Sequence, residues 1–397
     1  MNRLREPTDL VDELDTRPPL PLTLTYQATI SAPEPGWEPI AWNVTASADA
    51  LVLCVPTADR SLALGRNARG HALSRLPTAI DALLLRYRHA RLMEARPLFG
   101  LRVAFPLIEL LSDDAALVCG AWCARYPAPS TEMAEKEAMT ETAHVVAASG
   151  GDGIDAARVG HVVERNAQAF DRSGALTREM TLGDDVKALQ VGADGAIWAA
   201  YGDKGIYGSN GWDSLDGVRP VGASGLVRFS ETGDQMWERP RTGAWPLIAH
   251  NYGLNVARAL TWEYANYVGA TLRTSFTLTR IRADAPADAP RVWQSPVDGA
   301  RAIALGGNEP GAGILLWGGY PPYRTRCIAG ILGETTIEPL RRVTLLTEQQ
   351  TSLTDTGAPE DLRIHQVIGR EHRLHIFADT EWWTVDVPST QLISQSW

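Results

Sequence analysis

The chain has 397 residues, of which 45% are hydrophobic and 21% charged. That is ordinary globular composition, long enough to bury a sizeable core in two or three domains or in one large closed repeat array. The formal net charge of -10 argues against non-specific nucleic-acid binding and against docking on an anionic membrane, both of which need clustered Lys and Arg.

The first residues, MNRLREPTDLVDELDTRPPL, lack the apolar core of a secretory signal, and no membrane-length apolar run follows. A cytoplasmic location is expected. Residues 1–21 read as an N-terminal tail. Four cysteines in 397 residues make no disulfide framework. Cys119 and Cys123 lie in CGAWC. Read as a strand, that segment holds their Cα atoms roughly 13 Å apart, too far for a disulfide. Buried, reduced thiols are expected. Thirteen tryptophans against six phenylalanines suit strands that pack face to face.

Long amphipathic helical patterns are scarce, and short β-type runs divided by Gly, Asp, Asn and Pro dominate. An early run, LTLTYQAT (Leu22 to Thr29), precedes a series of hairpins. Trp42 to Ser47 turns near Asp49 into Leu51–Val55. Pro106 to Leu111 turns through SDD into Ala116–Trp122. Val186 to Val191 turns at Ala193-Asp194-Gly195 into Ala196–Tyr201, Asp-Gly tolerating the positive φ that such a turn needs. Leu254–Ala257 leads to Leu260–Tyr264, Ala302–Leu305 to ILLWGG, and Ile364–Ile368 to RLHIF. Copies recur roughly every fifty to eighty residues, a spacing suited to propeller blades.

Two further strands follow each hairpin, as in GLVRF then QMWERP, or FTLTRIR then RVWQS. Six hairpins with their outer strands predict an all-β, six-bladed propeller of four-stranded antiparallel blades over residues 22–388, with 389–397 as a tail. The sixth blade lacks an outer strand after EWWTVDV, and Leu22 to Thr29 is expected to supply it and close the ring. Arg75 to Pro97 reads as partly helical, with LLLRYR as the third strand of blade one. Residues 127–158, polar and glycine-rich, read as an insertion in blade two.

The sequences ADGAIWAAYGDKGIYG, GASGLVRFSETGDQMW and YGLNVARALTWEY resemble a family of uncharacterised bacterial propeller proteins. That family is loosely similar to the NHL-repeat and two-component-regulator propellers. The likeness covers about Gln168 to Arg282. It implies a propeller fold in a bacterial protein and no reaction.

In a propeller, the loops leading into each inner strand and those joining second to third strands crowd one face, where ligands usually sit. The lead-in loops offer Asp184, Asp185, His250, Asn251, Tyr252, Asp298 and Arg363. The other set offers Asp203, Lys204, Tyr207, Trp212, Tyr264, Tyr267, Tyr320, Tyr323 and Asp379. Gly202 to Gly225 is far longer than a hairpin needs. Its glycines allow tight turns while Tyr207 and Trp212 present aromatic faces. Asp203, Lys204, Tyr207, Trp212, His250, Asn251, Tyr252, Tyr264 and Arg363 are the expected ligand-binding set. The expected function is a binding scaffold that holds a small molecule, peptide or protein at the channel mouth.

The alternative is a propeller enzyme, a metal-assisted lactonase-type hydrolase or a lyase. In it His250 or Asp203 serves as base and Lys204 or Arg363 steadies a developing anion. His250 and Asn251 with Asp184, Asp298 and Asp379 could then hold a divalent metal such as calcium. EHRLH (Glu371 to His375) is no metal pair, because on a strand His372 and His375 face opposite sides. No HExxH, P-loop or dinucleotide fingerprint occurs, and GASG at Gly222 to Gly225 is no nucleophile elbow.

Overall fold

The structure, a computed structural model, describes residues 13–32, 34–65, 73–127, 161–212, 217–268, 274–318, 326–349, 352 and 363–394. The chain is a six-bladed propeller. Blade one is Trp37–Val44, Ala50–Pro56, Arg75–Arg88 and Arg91–Val103. Blade two is Pro106–Leu110, Ala116–Gly120, Ala167–Phe170 and Leu176–Met180. Blade three is Val186–Val191, Ile197–Tyr201, Leu226–Phe229 and Gln235–Glu238. Blade four is Ile248–Val256, Leu260–Val268, Thr274–Arg282 and Arg291–Ser295. Blade five is Ala302–Leu305, Gly313–Trp317, Cys327–Leu332 and Ile337–Leu346. Blade six is Ile364–Arg370, Arg373–Ala378 and Glu381–Asp386, with an outer strand from the N-terminal region. Within every blade the strands are antiparallel neighbours in sequence order, as six repeated hairpins predict.

The N-terminal strand differs from the expectation in one respect. It is two strands that part at Leu24. Thr25–Thr29 lies antiparallel on Glu381–Asp386 and completes blade six. Leu20–Thr23 instead pairs in parallel with Ile337–Leu346, in register Leu20 to Val343, as a fifth strand on blade five. Leu24 is fully buried at the joint, and its amide bonds the Leu346 carbonyl at 2.7 Å. One short run therefore covers the edges of two blades.

Arg75 to Pro97 holds no helix. It belongs to a long hairpin whose turn is made by His89 and Ala90, both at positive φ. Residues 128–160, and with them most of the expected insertion, lie outside the described residues. The flanks of that segment, Arg125–Pro127 and His161–Val163, pair antiparallel. Among the described residues no helix is long and apolar enough to cross a membrane. All four cysteines are buried and free.

The core is not one mass. Six clusters of buried side chains fill the six gaps between adjacent blades. Leu53 and Leu84 meet Ile108 and Val118 between blades one and two. Leu117 and Ala169 meet Leu189 and Ile197 between two and three. Trp198 and Leu226 meet Leu254 and Ile281 between three and four. Trp262 and Leu278 meet Ile303 and Leu316 between four and five. Leu315 and Ala329 meet Leu374 and Ile376 between five and six. Phe377 and Trp382 meet Val52 and Leu85 between six and one. Each sheet is apolar on both faces because each face has a neighbouring sheet, which explains the continuous apolar strands such as IWAAY and GILLW.

The inner strands close one end of the axis. Arg370 ends the inner strand of blade six and is buried. Its Nε donates to the Val44 carbonyl at 2.8 Å, and its Nη1 to the Val191 and Val256 carbonyls at 3.1 Å each. Its Nη2 binds the Glu109 carboxylate of blade two. Next to it, the Glu371 carbonyl accepts from the Leu305 amide of blade five at 3.0 Å. All six inner strands are thus tied at their hairpin ends. Gly369 lets this happen: a Cβ there would sit 1.8 Å from the Ile303 carbonyl oxygen.

Candidate functional site

The other end of the axis carries solvent-exposed polar residues on or beside the inner strands: Lys187, Arg301 and Gln366. Trp42 and His365 stack there at 4.7 Å and 10°. The most built part of this face spans blades two to four. Asp185 adopts a positive φ of 54° as the chain turns into blade three. Its side chain is buried. One carboxylate oxygen takes the Lys187 ammonium at 2.7 Å, and the other takes the Lys204 amide at 3.1 Å. Glycine at 202 leaves room for this pair, because a Cβ would lie 2.2 Å from Asp185 Oδ2 and 2.4 Å from Lys187 Cε and would push both side chains aside. The turn of helix Asp203–Tyr207 that follows is thereby fixed against blade three.

Fixing that turn sets three groups side by side. Lys204 Nζ lies 4.8 Å from the centre of the Trp122 ring, and Lys187 Nζ lies 5.6 Å from the same ring. The Asp203 amide donates to His250 Nδ1 at 3.2 Å. Asp203 Oδ1 is 3.3 Å from that nitrogen, and His250 packs against Tyr252 with ring centres 4.5 Å apart and planes tilted by 35°. Burial, with the Lys187 charge, holds the His250 imidazole below its ordinary pKa, against the pull of Asp203 and Asp185. The ring is therefore neutral at neutral pH. With Nδ1 accepting from a backbone amide, its proton is assigned to Nε2, which is left as a donor.

The nine expected binding residues divide into three groups. Asp203, Lys204, His250 and Tyr252 converge on this sector, with Tyr207 exposed on the same turn. Arg363 stands apart on blade six, its amide bonded to Asp379 Oδ1 at 3.0 Å. Trp212, Asn251 and Tyr264 are interior. Trp212 is 2% exposed, and its Nε1 donates to the Cys123 carbonyl at 2.8 Å. It packs the Gly202 to Gly225 loop onto the cluster between blades two and three and offers no face to a ligand. Asn251 is sealed, its Nδ2 held by the Gly225 carbonyl at 2.5 Å. The Tyr264 hydroxyl is spent on Ser295 and Val297 inside blade four.

The metal set that the enzyme alternative would draw on does not assemble among the described residues. Both Asp184 oxygens are consumed by the Cys123 amide, Ser209 and Asn210. Burial outweighs those bonds and raises its pKa. Among the described residues no three His, Cys, Asp or Glu side chains are grouped so as to hold a metal. Tyr320 and Tyr323 lie outside the described residues.

Sequence reasoning missed Trp122 and gave Lys187 no role. Trp122 sits in CGAWC, which reads as strand, whereas the strand ends at Gly120 and the tryptophan lies on the segment leaving blade two. Lys187 is the one charged residue in an otherwise apolar inner strand, VKALQV. That signal was available.

No family model matches this chain, and no curated protein matches it. Among solved structures, virginiamycin B lyase from Staphylococcus aureus, an inactive variant with quinupristin, aligns over 92% of this chain and 99% of its own. The identity is 9% and the TM-score 0.36. A gluconolactonase from Xanthomonas campestris aligns over 94% and 99%, at 11% identity and a TM-score of 0.35. An α-L-arabinanase of Penicillium chrysogenum, complexed with arabinobiose, aligns over 93% and 99%, at 9% identity and a TM-score of 0.39. Similarity at this level assigns neither activity nor ligand to this chain.

Proposed function

We propose that the protein is a binding propeller. Its working surface is the sector over blades two to four, and it holds a small molecule or peptide that carries a carboxylate or phosphate. The observation that supports this most directly is Lys204. Its ammonium lies over the Trp122 ring and makes no ion pair with a described residue, so its charge is available to a ligand. The His250 Nε2–H adds a donor beside it, and the exposed Asp203 carboxylate adds an acceptor for a ligand hydroxyl. The scaffold beneath is rigid, so little ordering is required on binding.

The enzyme alternative has His250 or Asp203 as its base. The His250 Nδ1 lone pair is already engaged by the Asp203 amide, and a nitrogen that carries its proton cannot take another. The arrangement at His250 thus favours hydrogen bonding to a ligand over proton abstraction, which leaves the exposed Asp203 carboxylate as the base in that reading.

The test is a fluorescence titration of the native protein with citrate and with inorganic pyrophosphate, using the indole of Trp122 as reporter. A saturable change, weakened at least fivefold in Lys204→Ala and lost in Trp122→Phe, is expected. Absence of any saturable change, or an unaltered titration in Lys204→Ala, overturns the reading. Turnover of a lactone by wild type, lost in Asp203→Asn, would establish the enzyme instead.

A further inference from the structure

The opposite face carries an enclosure that shares no residue with the site above. The turns of the inner hairpins of blades one, three, four and six surround a cavity of about 120 Å³ directly outside the Arg370 tie. That is room for about four water molecules at ~30 Å³ each. Its lining includes Arg258 from the blade four turn and Glu371 from the blade six turn, with His372, Arg373 and His375 beside them.

The charges of this lining are not balanced internally in the usual way. Arg373 is committed to Asp386, at 2.5 and 2.9 Å, and His372 approaches the same carboxylate at 3.7 Å. Arg258 and Glu371 are different. Through their side chains, neither makes a hydrogen bond or ion pair with a described residue, so they do not neutralise one another across the cavity. Glu371 is held by its backbone. Its amide donates to Asn255 Oδ1 at 2.8 Å, its carbonyl accepts from Leu305, and its φ is 48°. The backbone from which the carboxylate extends is therefore fixed at this rim whatever the side chain of Arg258 does.

A third feature is independent of the charged pair. His375 is 2% exposed, lines the same cavity, and its Nδ1 has no hydrogen-bond partner. A buried polar atom without a partner is uncommon, and here it belongs to a residue that lines the cavity, although the atom itself is closed to solvent.

We propose that this cavity is a binding site for a small zwitterion of the amino-acid type. The carboxylate of the ligand pairs with Arg258 and its ammonium with Glu371, while the His375 ring forms part of the wall. A simple anion would meet the Glu371 charge, and a simple cation would meet Arg258. A ligand that bears both charges at short separation satisfies both walls. The cavity accepts something of the bulk of glycine or alanine and excludes long side chains unless they project outward.

Isothermal titration of the full chain with glycine and L-alanine tests this, with acetate, inorganic phosphate and methylammonium as single-charge probes. Saturable heat is expected for an amino acid, with each single-charge probe at least tenfold weaker. Arg258→Ala and Glu371→Gln should each weaken amino-acid binding at least tenfold. Both residues are exposed, so unchanged melting curves will show that the variants are folded. Lys204→Ala should leave the titration unchanged, which separates this site from the face over blades two to four. The proposal is overturned if none of the twenty amino acids gives saturable heat at millimolar concentration. It is equally overturned if acetate or phosphate binds as well as glycine, or if either variant binds like wild type.

Discussion

The two ends of the propeller axis are built from the same six strands and differ in what those strands do with polar groups. At the hairpin end, several polar side chains of the inner strands are buried and spent on neighbours. Arg370 reaches three carbonyls and Glu109. Gln190 bridges Leu254 and Gly369, and Asn43 bridges Ile108 and Leu189. At the other end, Lys187, Arg301 and Gln366 remain in solvent. The contrast shows that a polar residue on an inner strand has no fixed meaning. When it ties strands together it determines the ring, and when it faces solvent it lies where a ligand can reach it.

Breaking the tied end should give the largest effect. Arg370→Ala leaves the Glu109 carboxylate buried without its partner and strips hydrogen bonds from three carbonyls. Loss of one member of such a pair costs about 3–5 kcal/mol. Urea unfolding should show a midpoint shift of that size, and a shift under about 1 kcal/mol would contradict the role given to Arg370.

Trp212→Ala should come close behind. It removes a buried indole and its bond to Cys123, at a cost of about 3–5 kcal/mol, while leaving any binding at Lys204 in place. An indole that could be removed without loss of stability would return Trp212 to the list of ligand contacts.

The third effect is a matter of pH and sharpens the comparison at the tied end. Burial raises the Glu109 carboxyl to about 7 against the opposing pull of Arg370 and two backbone amides. Burial, with the charges of Arg373 and Arg370, lowers His375 to about 3. Between the ordinary carboxylate pKa and about 7, native Glu109 holds a proton that the unfolded chain has released, so its contribution falls as pH rises. Between about 3 and the ordinary histidine value, native His375 lacks a proton that the unfolded chain holds, so its contribution rises with pH. In the overlap, roughly pH 4.5 to 6.5, the two slopes oppose each other. Relative to wild type, Glu109→Gln should therefore lose stability on acidification through this window, by up to about 1.4 kcal/mol per pH unit. His375→Asn should gain it. Stability curves for the two variants with the same slope would refute the pairing of these signs.

The smallest effect belongs to the open end. Lys204→Ala should change stability by no more than about 0.5 kcal/mol, because its ammonium holds nothing in the fold. A larger loss, read from the same urea titration, would mean that the contact with Trp122 is structural.

Much of the ring was legible in the chain because hairpins announce themselves. Asp194-Gly195 sits at a turn where positive φ is needed, and alternating apolar runs flank it. Legibility failed where the local signal was absent. The long blade one hairpin turns at His89 and Ala90, neither a turn-forming residue, and so reads as continuous with a helix. LTLTYQAT contains no Gly or Pro at Leu24 to show that it serves two blades. At the candidate site, Asp203, Lys204 and His250 could be placed by counting strands. Whether an aromatic faces solvent or a neighbouring blade could not, since Trp212 lies among polar and glycine residues yet is buried, while Trp122 lies in the apolar CGAWC and carries the lysines. Only three-dimensional packing separates the two.

The division of residues 20–29 between blades five and six has a consequence for the order of events during synthesis. The partners of these residues, Val343 to Leu346 and Glu381 to Thr384, lie at the far end of the ring in sequence and are made after the other blades. Until they emerge, residues 20–29 have nowhere to pair, and the edges they cover stay open until the ring closes. Ring closure is thus a late step with a large loop-closure entropy, and slow compared with the folding of any one blade. During that interval a second nascent chain can donate its own residues 20–29 to the waiting edges, so strand exchange between copies is the characteristic misassembly to which this architecture is open.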